Sequence, residues 1–195
     1  MEGASRIRNA GRVCIAASLL WIVAIFMQYG YGLKPPGSST LFSINQIMLS
    51  VATAGWITGI VGLLWARVAG DGWFGKSALG LFAFGWIVLL AAGLLALVTG
   101  DYDLPLFPIG GLTAMVGGLL AGGAVVAARR WGGWRRFSVL FYALYYLLGL
   151  MLPLMIADRE PTLVTEVLWG LAWIPIGIAL VASQSIERRQ LAFGN

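Results

Sequence analysis

The sequence predicts an all-α polytopic integral membrane protein: a six-transmembrane-helix antiparallel bundle with cytoplasmic N and C termini. Three observations lead to this class. Of the 195 residues, 59% are hydrophobic and only 11% are charged, the apolar residues form six long runs, and the basic residues alternate between the gaps. Soluble domains carry about 25% charged residues. We therefore expect one membrane domain over residues 1–195.

Each apolar run is long enough to cross a bilayer. The expected helices cover residues 13–31, 42–66, 78–99, 106–128, 137–156 and 162–183. At about 1.5 Å per residue, roughly 20 residues span a hydrocarbon core of about 30 Å. The connections are short, so consecutive helices should be antiparallel neighbours.

The basic residues predict the orientation. Of the 13 Lys and Arg, all but Lys34 and Arg159 lie before the first run, after the sixth, or in the second and fourth gaps. Positive residues favour the cytoplasmic side. The expected location is a cell membrane, as a multi-pass protein of a prokaryotic inner membrane. This topology also accounts for the net charge of +5, so we expect no nucleic-acid partner.

The sequence lacks the residues that several kinds of chemistry require. The chain has no histidine and one cysteine, Cys14, which excludes His-ligated haem, a Ser-His pair and an intrachain disulfide. Both lysines, Lys34 and Lys76, lie outside the predicted helices. We expect no metal, no cofactor and no catalytic residue.

Glu166 is the one ionisable residue clearly inside a predicted span. Intramembrane carboxylates are rare and often functional, although a position near a helix N-terminus also stabilises an anion. Trp169 and Trp173 follow at helical spacing on the same face. Pro153 and Pro175 each remove a backbone donor and kink the last two helices. The kinks predict a cavity near helices 5 and 6, toward the outer leaflet.

Three amides could join this cavity. Gln28, Asn45 and Gln46 lie at the outer ends of the first two predicted helices. An acid, two indoles and three amides could bind a lipid headgroup, a small hydrophobic ligand or an amphipathic cation. An aromatic belt and ordinary kinks explain the same residues without a ligand.

The fourth predicted helix carries a stripe of small residues spaced by four: Gly110, Ala114, Gly118 and Gly122. Such stripes allow close helix packing in lipid. The second helix offers a mate through Gly55, Gly59 and Gly62. The alternatives are a homo-oligomer interface, a contact with a membrane-protein partner, or a path lined by backbone.

The fourth gap is strongly basic and aromatic, with Arg129, Arg130, Trp131, Trp134, Arg135 and Arg136. These residues are expected to anchor the chain at the lipid bilayer, where basic side chains favour anionic lipid headgroups by about 1 kcal/mol each. Docking of a specific anionic lipid or of a protein partner is the sharper hypothesis.

Three functions remain open. The first is a non-catalytic protein that binds a lipid, a small hydrophobic ligand or a membrane partner in the outer-leaflet cavity. The second is a small-molecule transporter or channel subunit, for which the glycine stripe and Pro175 are the indications. The third is a membrane enzyme that acts on a lipid or isoprenoid, with Glu166 as the acid.

Overall fold

The computed structural model describes residues 2–33, 39–100 and 103–193, with side chains described up to Ser183. The four first helices are α1 (Glu2–Gly30), α2 (Thr40–Trp65), α3 (Trp73–Thr99) and α4 (Leu106–Ala128). The fifth span consists of four consecutive segments: a 3₁₀ turn (Gly133–Phe137), α5 (Ser138–Tyr145), a π-helical segment (Tyr146–Met151) and α6 (Leu152–Ala157). The last helix is α7 (Leu163–Phe193).

Six of these helical stretches are long and apolar enough to cross a membrane, and the described residues form helices and connections only. Each span packs on the next one along the chain, and α7 packs on both the fifth span and α1. The six-helix bundle is therefore a closed ring.

Local signals begin and end the helices. The Ser39 hydroxyl accepts a hydrogen bond from the Phe42 amide at 3.1 Å, which caps the N-terminus of α2. Gly100 ends α3 with a left-handed backbone (φ 72°). Before α7, the amide of Thr162 donates to the Thr165 hydroxyl at 2.8 Å, and the Thr165 amide donates back at 3.3 Å.

Two polar contacts identify the ends of the bundle. The Tyr29 hydroxyl donates to the Pro161 carbonyl at 2.6 Å, which joins the end of α1 to the start of α7. We call this the Pro161 end. A guanidinium nitrogen of Arg130 lies 2.7 Å from the carboxylate of Asp71, which joins the α2–α3 connection to the segment after α4. We call this the Asp71 end.

The small-residue stripe of α4 lies inside the bundle. A Cβ atom added to Gly110 would meet Leu89 of α3 at 2.9 Å, and one added to Gly122 would meet the Leu140 backbone at 2.6 Å. Ala114 is fully buried against Gly85, and Gly118 faces the Phe82 ring. The stripe is thus covered by α3 and the fifth span of the same chain.

The expected pairing of this stripe with α2 is not what the structure shows. The glycines of α2 pack on α1 instead: Gly55 lies against Ala17, Gly59 against Cys14, and Gly62 against Ala10. The reason is that α1 also presents small residues at helical spacing, and it is the neighbour of α2 in both sequence and space.

An aromatic cluster fills the centre of the ring. Trp173 of α7 stacks on Trp56 of α2 with ring centroids 5.0 Å apart, and on Phe82 of α3 at 5.7 Å. The Tyr142 ring of α5 lies 4.4 Å from Trp173. These four side chains are fully buried, so rings from four spans occupy the core.

Candidate functional site

A cavity of about 280 Å³ lies at the Pro161 end of the bundle. It is lined by the C-terminal half of α1, by residues 46–53 of α2 and 86–93 of α3, by Phe107 in the first turn of α4, and by the first two turns of α7. Its lining combines one acid, two amides and two hydroxyls with indole and aliphatic walls. Glu166 is the only charged residue in the described lining.

Glu166 lies in the first turn of α7 and is partly buried. Its backbone is held in place, since its amide donates to the Thr162 carbonyl at 3.0 Å and its carbonyl accepts from the Trp21 indole at 3.3 Å. Its carboxylate has no hydrogen bond or ion pair with any residue in the described part of the chain. The helix N-terminus favours the negative charge, but no described cation neutralises it.

Three indoles form the aromatic walls of the cavity. Trp169 lies one turn after Glu166, and its ring meets Trp21 edge-on with centroids 5.1 Å apart. Trp86 of α3 lies 5.6 Å from Trp169. The rings come from three different helices, so they enclose the space from several directions beside a single carboxylate.

Polar groups of α1 and α2 complete the lining. The side-chain amides of Gln28 and Gln46 make no hydrogen bond with another described residue. Ser50 and Thr53 donate to the carbonyls one turn earlier, at 2.8 and 2.9 Å, which leaves the lone pairs of their oxygens. The cavity therefore presents both donors and acceptors.

The structure brings together Glu166, Trp169, Gln28 and Gln46 from the set expected in the sequence. Two members lie elsewhere. Asn45 is fully buried and donates to the Ala24 carbonyl at 2.6 Å, so its side chain joins α2 to α1. Trp173 is one turn too deep to line the cavity and belongs to the central aromatic cluster.

The cavity also does not lie between the fifth span and α7. The Tyr145 hydroxyl donates to the Thr165 carbonyl at 2.8 Å, and the Tyr146 ring stacks on Trp169 with centroids 5.1 Å apart. These contacts hold the fifth span against α7, and the cavity lies among α7 and the first four helices.

The basic turn after α4 is only partly free to meet lipid. Trp131 is buried at 6% exposure and Arg130 pairs with Asp71, so neither is a free anchor. Trp134 is 54% exposed, and the Arg136 guanidinium lies 4.5 Å from the Phe137 ring centre. Arg129 adopts a left-handed backbone (φ 52°) where α4 ends, and Arg135 lies in the following 3₁₀ turn.

Sequence reasoning missed Trp21 and Trp86, two of the three indole walls. Both lie within apolar runs, among nine tryptophans in the chain. Their proximity to Glu166 depends on how the helices pack, and no local spacing in the sequence predicts it.

Within the described residues, no group of three or more His, Cys, Asp or Glu side chains is arranged to hold a metal ion. The six apolar helices identify a multi-pass, all-helical membrane protein. No protein-family model matches the chain, and neither curated proteins nor solved structures show a significant match to it.

Proposed function

We propose that this protein binds a small organic cation, with the cationic group beside Glu166 and the three indoles around it. The observation that carries the proposal is the carboxylate of Glu166, which has no partner in the described chain and borders a walled cavity. A carboxylate away from bulk water is costly unless an opposite charge accompanies it. A bound cation supplies that charge.

The walls favour an organic ammonium over an inorganic ion. Hard metal ions take oxygen ligands, whereas most of this lining is indole and aliphatic carbon. Indole faces attract ammonium groups by about 0.5–2 kcal/mol each, and aromatic cages recognise quaternary ammonium ligands. Trp21, Trp86 and Trp169 line the cavity beside Glu166, and the Gln28 and Gln46 amides can orient polar atoms of the ligand.

In our proposal this site lies in the outer half of the membrane. In our proposal the Asp71 end, with Arg67, Lys76 and the basic turn after α4, faces the cytoplasm. The cavity then opens toward the outer leaflet. A ligand would reach it without crossing the hydrophobic core.

A binding measurement with a defined probe tests the proposal. N-methylpyridinium is a small organic cation that quenches indole fluorescence on contact, so titration of the protein in phosphatidylcholine nanodiscs reports binding. We expect saturable quenching, and Glu166→Gln should weaken it at least tenfold, since loss of one buried ion pair costs more than about 1.4 kcal/mol.

Glu160→Gln is the matched control, because Glu160 is an exposed carboxylate in the connection just before α7. It should bind the probe as the unmodified protein does. Equal binding by the Glu166→Gln protein, or no saturable quenching at all, would refute the proposal.

Transport of the cation is the second candidate. Segments of π-helix are frequent at functional sites, and transporters often break their helices near the substrate. Here the π-helical segment Tyr146–Met151 packs on the cavity wall through Tyr146, and Pro175 lies inside α7, six residues after Trp169. Uptake of labelled probe into proteoliposomes, abolished by Glu166→Gln, would favour transport over binding alone.

A further inference from the structure

A second cavity of about 420 Å³ lies beside the first, among α3, α4 and the fifth span. Its described side-chain lining is apolar except for the Tyr146 hydroxyl. Leu112, Leu154 and Met155 line it and are 40%, 40% and 64% exposed, so the space opens sideways onto the surface that faces lipid. At its inner side it reaches Tyr146, which is only 2% exposed.

The two cavities share walls. Leu89 of α3 and Phe107 of α4 line both of them. The ring of Tyr146, in the second cavity, stacks on Trp169, in the first. A charged compartment and an apolar compartment therefore adjoin each other at Leu89 and Phe107.

We propose that the two cavities form one site for a single-chain amphiphilic cation. This inference rests on the proposed function. The ammonium head occupies the Glu166 cavity, and the alkyl chain passes Phe107 and Leu89 into the apolar cavity. The ligand class is therefore a long-chain alkylammonium compound, and compact cations bind only through their heads.

The continuity of the walls selects this occupant over an unrelated lipid tail. A tail from the bilayer could lie in the outer part of the groove, but it would bring no charge to Glu166. An alkyl chain attached to the cation fills the apolar space at no additional cost of immobilising a second molecule. Affinity should then depend on both chain length and Glu166.

A series of N-alkylpyridinium probes with methyl, butyl and hexyl chains tests the inference by the same fluorescence quenching in phosphatidylcholine nanodiscs. Each fully buried methylene improves binding by roughly fourfold. We expect the hexyl probe to bind at least about 30-fold more tightly than the methyl probe after subtraction of the partition into the lipid, measured with empty nanodiscs.

A filled-groove variant, Leu112→Phe with Met155→Phe, should lower hexyl affinity about tenfold and leave methyl affinity within about twofold. Leu120→Phe with Ile156→Phe is the matched control. Leu120 and Ile156 lie on the same two helices, are 40% and 79% exposed, and do not line the cavity. The control should retain the full dependence on chain length.

The results separate the two proposals. Equal affinity for the methyl and hexyl probes in the unmodified protein overturns the inference, whether or not the filled-groove variant folds, and leaves the cation site standing. Equal hexyl affinity in the filled-groove and control proteins also overturns it and indicates an ordinary lipid groove. Binding of the methyl probe that Glu166→Gln leaves unchanged overturns the proposed function itself.

Discussion

The first turn of α7 is held by tyrosines of two other spans. Tyr29 of α1 donates to the Pro161 carbonyl at 2.6 Å, and Tyr145 of α5 donates to the Thr165 carbonyl at 2.8 Å. Glu166 follows Thr165 directly. The carboxylate therefore sits on a backbone segment that is fixed from both sides, which limits the conformational entropy lost when a ligand binds.

Removal of the Tyr29 hydroxyl should loosen this segment. Tyr29→Phe loses one hydrogen bond, so we expect a loss of about 0.5–1.5 kcal/mol in the free energy of unfolding, together with weaker probe binding. Tyr31→Phe is the control, because Tyr31 is 70% exposed. Thermal unfolding in detergent and the pyridinium titration measure the two effects. Identical behaviour of the two variants would contradict the role assigned to Tyr29.

Part of the site could be predicted from the sequence. A carboxylate in an apolar span is costly wherever the helices lie, so Glu166 stands out without a structure. Trp169 follows from helical spacing on the same face. Trp21 and Trp86 could not be predicted, because many side chains in apolar runs are equivalent until the rotation of each helix is known. For the same reason the sequence could not show that Gln46 lines the cavity while Asn45 bonds to α1: the two residues are adjacent, and successive residues of a helix point about 100° apart.

At the scale of elements, α3 and α4 form the closest packing in the bundle. A Cβ atom added to Gly117 would clash with the backbone of Phe82, and one added to Gly85 would clash with the backbone of Ala114. Backbone atoms cannot move aside as a flexible side chain can. The two helices therefore depend on glycine at these positions for their distance.

Gly117→Ala should accordingly destabilise the protein by about 1–3 kcal/mol through overpacking. Gly123→Ala on the same helix is the matched control, since a Cβ atom there would meet nothing within 4 Å. That control should be neutral or slightly stabilising, because alanine favours helix by about 0.5–1 kcal/mol over glycine. Unfolding midpoints in the same detergent compare them. Equal stability of the two proteins would rule out this packing argument.

The number of spans could be predicted because the length and apolar content of each segment are set by its own residues. The helical geometry of the fifth span could not be predicted in the same way. Pro153 predicts a kink by removing one donor, whereas the structure contains a π-helical segment, Tyr146–Met151, just before it. At this segment Tyr146 stacks on Trp169, and Tyr145 just before it donates to the Thr165 carbonyl. Local propensity does not encode these contacts with α7.

At the scale of the whole molecule, the distribution of charge predicts the orientation. The Asp71 end carries most of the basic residues even after Arg130 and Arg67 pair with Asp71. Surface ion pairs of this kind contribute little energy, so they do not cancel the positive field. We expect this end in the cytoplasm.

Cysteine labelling in intact cells tests the orientation. Gly72→Cys lies at the Asp71 end and Arg159→Cys at the Pro161 end, and both positions are exposed. A membrane-impermeant maleimide should label only Arg159→Cys until the cells are permeabilised. The unmodified chain is the control, because Cys14 is fully buried and should remain unlabelled. Labelling of Gly72→Cys from outside would reverse the topology.

The crowding of the indoles has a spectroscopic consequence. Trp21, Trp56, Trp86, Trp169 and Trp173 are linked by ring centroids 4.7 to 5.7 Å apart. At such separations chromophores couple electronically, and light absorbed by one is passed to the others. A quencher at one wall of the cavity would therefore lower the fluorescence of all five tryptophans. Any separation of the spans would break the coupling, so tryptophan fluorescence would report whether the bundle is closed.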